Sequence, residues 1–200
     1  MTIFMSDILC VTNRRLCEED FLTRAEKIAA ASPAGIILRE KDLSQEEYYA
    51  LAQSMMAICK KQQLPCILHT FTGIAEKLGA KEIHLPMPVF RTLTGEKKAY
   101  FRTIGVSCHS VLEAKEAERL GASYITAGHI FETDCKWGLP GRGLSFLKEV
   151  CNAVNVPVYA IGGITPEKIA GVRQAGAAGA CVMSSLMQCD SPEKYLAAFQ

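Results

Sequence analysis

The stretch "VPVYAIGGITPEKIAGVRQAGAAGACVMSS", residues 156–185, sets two short apolar runs on either side of an amphipathic segment. "VPVYAIGG" carries apolar residues at successive positions, as a strand covered on both faces does. "TPEKIAGVRQAG" opens with Thr165 in the N-cap position and Pro166 at the first helical position, then places apolar residues at helical spacing. "GACVMSS" returns to the first pattern. Strand, helix and strand of this kind predict a parallel βαβ unit, because only a crossover helix joins parallel strands and covers the sheet.

The same alternation runs outward to the N-terminus. "DILCVTN", "AGIILRE", "LPCILHT", "EIHLP", "RTIGVSC" and "SYITAGHIF" complete a set of eight candidate strands. Between them, "EDFLTRAEKIAAA", "SQEEYYALAQSMMAICKKQ", "SVLEAKEAERLG" and "LSFLKEVCNAV" read as helices. Eight (βα) units close into a barrel, so the expected fold is α/β, a small (β/α)8 TIM barrel in a single domain over residues 1–200. An open doubly wound sheet is the competitor. It ordinarily places a glycine fingerprint after its first strand, and "CVTNRRLC" contains no glycine.

Two hundred residues at 49% apolar content suffice for one sizeable core. Lys and Arg number 22 against 21 Asp and Glu, so no global field would hold the chain on nucleic acid or an acidic membrane. Any anion must be bound by local clusters. The nine cysteines are odd in number and contain no C-x-x-C, which argues against a disulfide framework and against zinc. The N-terminal "MTIFMSDILCVTNRR" lacks a basic region before its apolar stretch, and no apolar run approaches the ~20 residues of a membrane span. A cytoplasmic protein with reduced thiols is expected.

In a barrel of this kind the chemistry lies at the C-terminal ends of the strands. Arg39 and Lys41 follow the second strand in "LREKD" and would share a side if the strand continued through them, either as an anion site or as solvated strand ends. His69 and His84 could equally be half-buried strand residues. Ser107 ends the fifth strand, and His109 begins a helix. Gly162 and Gly163, with Ser184 and Ser185 after the eighth strand, would form a phosphate cup of backbone N–H groups, the alternative being glycines that only permit a tight turn.

The sixth strand runs into "AGHIFETDCKWGLPGRG", residues 127–143, a loop by its glycine, proline and charge content. His129 at its start can accept a proton at one carbon and return it at another, as an isomerase requires. The alternative is a hydrogen-bonded structural histidine. Thr133 could donate a hydrogen bond, and Lys136 could neutralise a substrate anion. Asp134 fits a turn, and nothing in its surroundings marks Cys135 as a nucleophile.

Together, "LREKD", "GVSCHS", "GASYITAGHIFETDCKWGLPGRGL", "VPVYAIGGI" and "GAAGACVMSSL" resemble the thiamine phosphate synthase superfamily, in order and over nearly the whole chain. The resemblance implies a small barrel that binds a thiazole phosphate over its last strands. Synthases of this superfamily join an aminopyrimidine pyrophosphate to thiazole phosphate. They have a glutamine where this chain has Ile37, "ND" where it has His69 and Thr70, and an aspartate where it has Val89. The missing carboxylates would be the magnesium ligands of the synthases.

The chain is more similar to the TenI-like thiazole tautomerases in "GH-x-F-x-T-D-x-K-x-G". That likeness implies His129 as proton carrier during aromatisation of a carboxythiazole phosphate, Lys136 on the substrate carboxylate and Thr133 orienting the ring. It implies a phosphorylated thiazole as ligand and no cofactor, with magnesium needed only for synthase chemistry. A thiazole-phosphate-binding regulator without catalysis is the third reading. The sequence leaves a homo-oligomer open.

Overall fold

A computed structural model describes residues 7–133 and 138–200. Its eight strands follow one another, in chain order, around a closed barrel. They are β1 (Ile8–Val11), β2 (Gly35–Leu38), β3 (Cys66–His69), β4 (Glu82–Pro86), β5 (Thr103–Cys108), β6 (Tyr124–Gly128), β7 (Val158–Ile161) and β8 (Gly179–Val182). All eight lie within the apolar runs read from the sequence, and the (β/α)8 expectation holds. Contacts group the chain into two compact units, one comprising the chain up to Ile83 together with Met183–Gln200, the other His84–Val182.

In the first unit β1, β2 and β3 pair in parallel, Leu9 opposite Gly35 and Ile36 opposite Cys66. Helix α1 (Phe21–Ala30) starts where Asp20 accepts a hydrogen bond from the Thr23 N–H, one of the donors a helix leaves unpaired at its start. Helix α2 (Gln45–Lys61) starts with a reciprocal capping box between Ser44 and Glu47. It buries Tyr48, Ala52, Met55 and Cys59, three to four residues apart on one face.

The Tyr48 hydroxyl donates to the Leu38 carbonyl at 2.7 Å and accepts from the His69 N–H at 2.8 Å, so one buried phenol ties the ends of β2 and β3 together. Tyr48→Phe would leave a buried donor and a buried acceptor without their partner. It is expected to cost about 1–3 kcal/mol in denaturant unfolding, and an unchanged midpoint would contradict that role.

In the second unit β5, β6, β7 and β8 pair in parallel, with Ser107 opposite Thr126 and Ile161 opposite Cys181. Helix α6 (Val111–Arg119) is capped by Ser110, and helix α7 (Gly143–Ala153) buries Leu147 and Val150. The expected helix after β7 is divided. Thr165 occupies the N-cap position without a side-chain cap bond, Pro166–Lys168 form a 3-10 turn, and α8 runs from Ile169 to Gln174.

Five further helices escape periodicity because each has only five or six residues. They are α3 (Thr72–Lys77), α4 (Met87–Arg91), α5 (Gly95–Tyr100), α9 (Ser184–Gln188) and α10 (Pro192–Ala197). No helix among the described residues is long and apolar enough to cross a membrane.

Candidate functional site

In the second unit the site is built on the ends of β6 and β7. Past Gly128 the chain keeps following β7, with the Ile130 N–H bonded to the Ile161 carbonyl at 2.9 Å and the Phe131 N–H to the Gly162 carbonyl at 3.0 Å. Close approach demands glycine here. A Cβ on Gly162, whose φ is +101°, would lie 2.4 Å from the His129 Cβ.

His129 is half-buried, and its Nε2 lies 3.3 Å from the Leu139 carbonyl oxygen. A carbonyl can only accept, so this contact places the proton of the neutral ring on Nε2 and leaves the lone pair on Nδ1. By the same argument His109, whose Nδ1 is 3.0 Å from the Gly128 carbonyl, carries its proton on Nδ1. His109 stands just before α6, and its backbone N–H donates to Glu113 at 2.6 Å.

Gly163 follows with φ +63°. Its carbonyl is held by Lys168 Nζ at 2.9 Å, and that ammonium sits 4.7 Å from the centre of the Phe131 ring. The Gly163 N–H makes no hydrogen bond among the described residues. Thr133 is half-buried. Asp134, Cys135 and Lys136 lie outside the described residues, so the roles expected of them stand as expectations. Ser107, half-buried near the end of β5, has its Oγ 2.8 Å from Nε2 of a buried residue, His84.

In the first unit β2 stops at Leu38, so the alternation that would put Arg39 and Lys41 on one side does not run through them. Arg39 is half-buried and Lys41 exposed. The Arg39 N–H donates to the Thr12 hydroxyl at 3.0 Å. Glu40 between them is buried, and sequence reasoning missed it. It accepts from the Thr12 hydroxyl at 2.7 Å and from the Arg14 N–H at 3.0 and 3.1 Å. Arg14 in turn grips Asp42 with two bonds of 2.7 Å. Such a carboxylate between two cations reads in sequence as an ordinary surface charge, which is why it gave no signal.

Hydrogen bonding from Arg14 holds the Asp42 carboxyl well below the ordinary aspartate range, against a smaller opposing effect of desolvation. A depressed folded-state pKa stabilises the fold above the unfolded value, and that contribution is lost as pH falls toward the folded one. Below about pH 4 the wild type should therefore lose stability more steeply than Asp42→Asn in acid titrations followed by circular dichroism. Equal slopes would contradict the assignment.

Ser184 and Ser185 open α9 after Met183, and both are half-buried. Ile37 is buried in the core. Thr70 adopts φ +67°, and its hydroxyl lies 2.7 Å from His69 Nδ1. Val89 sits within α4. A magnesium ion needs several hard oxygen ligands. Val89 supplies none, the Thr70 hydroxyl is engaged with His69, and no group of three or more His, Cys, Asp or Glu among the described residues could hold a metal. The residues at these positions do not fit that ion.

A family model described as "Thiamine monophosphate synthase" matches residues 8–186. A protein of Aquifex aeolicus named putative thiamine-phosphate synthase 2 is 36% identical over 181 residues, 90% of this chain and 97% of that one. Thiamine-phosphate synthase 2 of Streptococcus pneumoniae is 35% identical over 195 residues, 94% and 91% of the two chains. A thiamine phosphate pyrophosphorylase from Pyrococcus furiosus superposes with a TM-score of 0.83 at 24% identity, covering 96% of this chain and 93% of that chain, and supports the fold. With β6, the His129 turn and the β7 glycines all inside the matched segment, the chain belongs to the thiamine monophosphate synthase (TMP-TENI) family.

Proposed function

We propose that the protein is an enzyme of thiamine biosynthesis that binds a phosphorylated thiazole and isomerises its carboxylated tautomer by proton transfer through His129. The observation that carries this reading is the His129 ring, hydrogen-bonded through Nε2 to the Leu139 carbonyl with its Nδ1 lone pair left for a substrate proton. Nδ1 would take a proton from one carbon of the ring system and return it to another. Aromatisation supplies the driving force, so the enzyme has only to position the ring and carry the proton. Within the second unit the Gly163 N–H is a candidate phosphate donor; the parts expected of Ser184, Ser185, Arg39 and Lys41, in the first unit, stand as expectations. Thr133 and Lys136 would orient the ring and meet the carboxylate.

A second reading is thiamine phosphate synthesis, and the relatives' names favour it over isomerisation. Against it stand Ile37, Thr70 and Val89, which provide no carboxylate for a metal-bound pyrophosphate. The two reactions separate in one assay. Purified protein given aminopyrimidine pyrophosphate, thiazole phosphate and magnesium is expected to form no thiamine phosphate above background. Magnesium-dependent formation that chelator abolishes would establish the synthase reading in its place.

A further inference from the structure

We infer that Tyr124 and His84 are positioning residues that turn the Ser107 hydroxyl into a hydrogen-bond donor aimed at the ligand. The inference rests on the proposed function only in taking Ser107 as a ligand contact.

The three residues form one hydrogen-bonded chain within the second unit, buried at Tyr124 and His84. The Tyr124 hydroxyl is 3.0 Å from His84 Nδ1, and His84 Nε2 is 2.8 Å from the Ser107 Oγ. Thr126 completes the group, its hydroxyl 3.4 Å from the Ser107 Oγ and 3.5 Å from His84 Nε2. Strand register explains the cluster, because Gly105 lies opposite Tyr124 and Ser107 opposite Thr126. Gly105 is its floor. A Cβ there would stand 2.1 Å from the Tyr124 Cζ and 2.4 Å from His84 Nδ1, so the ring pair fits only over a residue without a side chain.

The direction of the proton chain follows from the number of acceptors. Burial pushes the Tyr124 phenol far above its ordinary pKa, so it stays an O–H donor. Its only acceptor among the described residues is His84 Nδ1. Were Nδ1 protonated, a buried phenol proton would have nowhere to go, at a cost proteins avoid. Nδ1 therefore accepts, Nε2 carries the proton, and that proton goes to the Ser107 Oγ. Thr126 donates a longer bond to the same oxygen. With its oxygen accepting from two protein donors, Ser107 has its own proton to give, and no described residue accepts it. Ser107 is half-buried where the others are buried, so the free end of the chain is the end at the strand terminus. The ligand it fits presents a lone-pair or anionic oxygen or a ring nitrogen.

Nitrogen-15 NMR of the ligand-free protein reads this directly, since the protonated and bare nitrogens of a neutral imidazole resonate in separate ranges. The four histidines are assignable by single His→Gln variants. His84 should be protonated on Nε2; protonation on Nδ1 would overturn the proposal whatever the Tyr124 and Ser107 variants do. Calorimetry with thiazole phosphate then tests the consequence. Tyr124→Phe should weaken binding by about three- to tenfold in the wild-type background and cause no further loss in Ser107→Ala. An equal loss in both backgrounds would show that Tyr124 acts without Ser107, and would overturn the relay. A wild type with His84 protonated on Nε2 that takes up no thiazole phosphate would sink the proposed function while supporting the proton chain.

Discussion

Replacing His129 by alanine is expected to slow isomerisation of a carboxythiazole phosphate by about 10²–10⁴-fold, with thiazole phosphate still bound at close to wild-type affinity. The split follows from what the side chain does. Its Nε2 is turned to the Leu139 carbonyl and its Nδ1 carries the lone pair, so it offers a base rather than a binding group. His129→Asn should be as slow as alanine, because an amide can replace the bond to Leu139 but cannot accept a proton from carbon. A rate loss arising entirely in KM would show that His129 binds instead of transferring protons. Lys136→Ala should differ from both by weakening the carboxylated substrate more than thiazole phosphate itself.

Gly163→Ala should lower stability by about 2–5 kcal/mol, the sum of a left-handed backbone strain and an overpacked contact. The residue holds φ +63°, and a Cβ would sit 2.3 Å from the Glu132 carbonyl oxygen and 2.9 Å from the Phe131 Cβ. Neither neighbour is a flexible side-chain end, so the chain leaving β6 must move. For a chain of this size, that corresponds to a fall of roughly 4–20 °C in Tm, measurable by calorimetry. An unchanged Tm would show that the turn relaxes without cost. The same geometry alters the meaning of bulkier variants. A valine at this position disrupts backbone packing whether or not an anion binds, so loss of ligand in Gly163→Val does not by itself locate a phosphate.

Strand positions were legible because each is a short run covered on both faces, and burial on both faces leaves a continuous apolar signature. Long helices were legible through their spacing, as with Tyr48, Ala52, Met55 and Cys59 along α2. The short helices outside those segments, α3, α4, α5, α9 and α10, were not, because one turn and a half carries too few apolar positions to define a face. His129, Ser107 and the β7 glycines were legible as residues at or just past strand ends, where the chemistry of a barrel is expected. Glu40 and the Tyr124–His84 pair were not, since their roles depend on partners 26 to 40 residues away in sequence. Nothing local distinguishes a buried histidine that orients a hydroxyl from one that merely fills a strand.

The proposed transfer of a proton on a thiazole ring is measured directly by the change in thiazole absorbance on aromatisation. Purified protein mixed with the non-aromatic carboxythiazole phosphate should raise the rate well above the uncatalysed background, equally with and without chelator. No acceleration under conditions where thiazole phosphate demonstrably binds would contradict proton transfer by this chain and leave a binding protein or a synthase in its place.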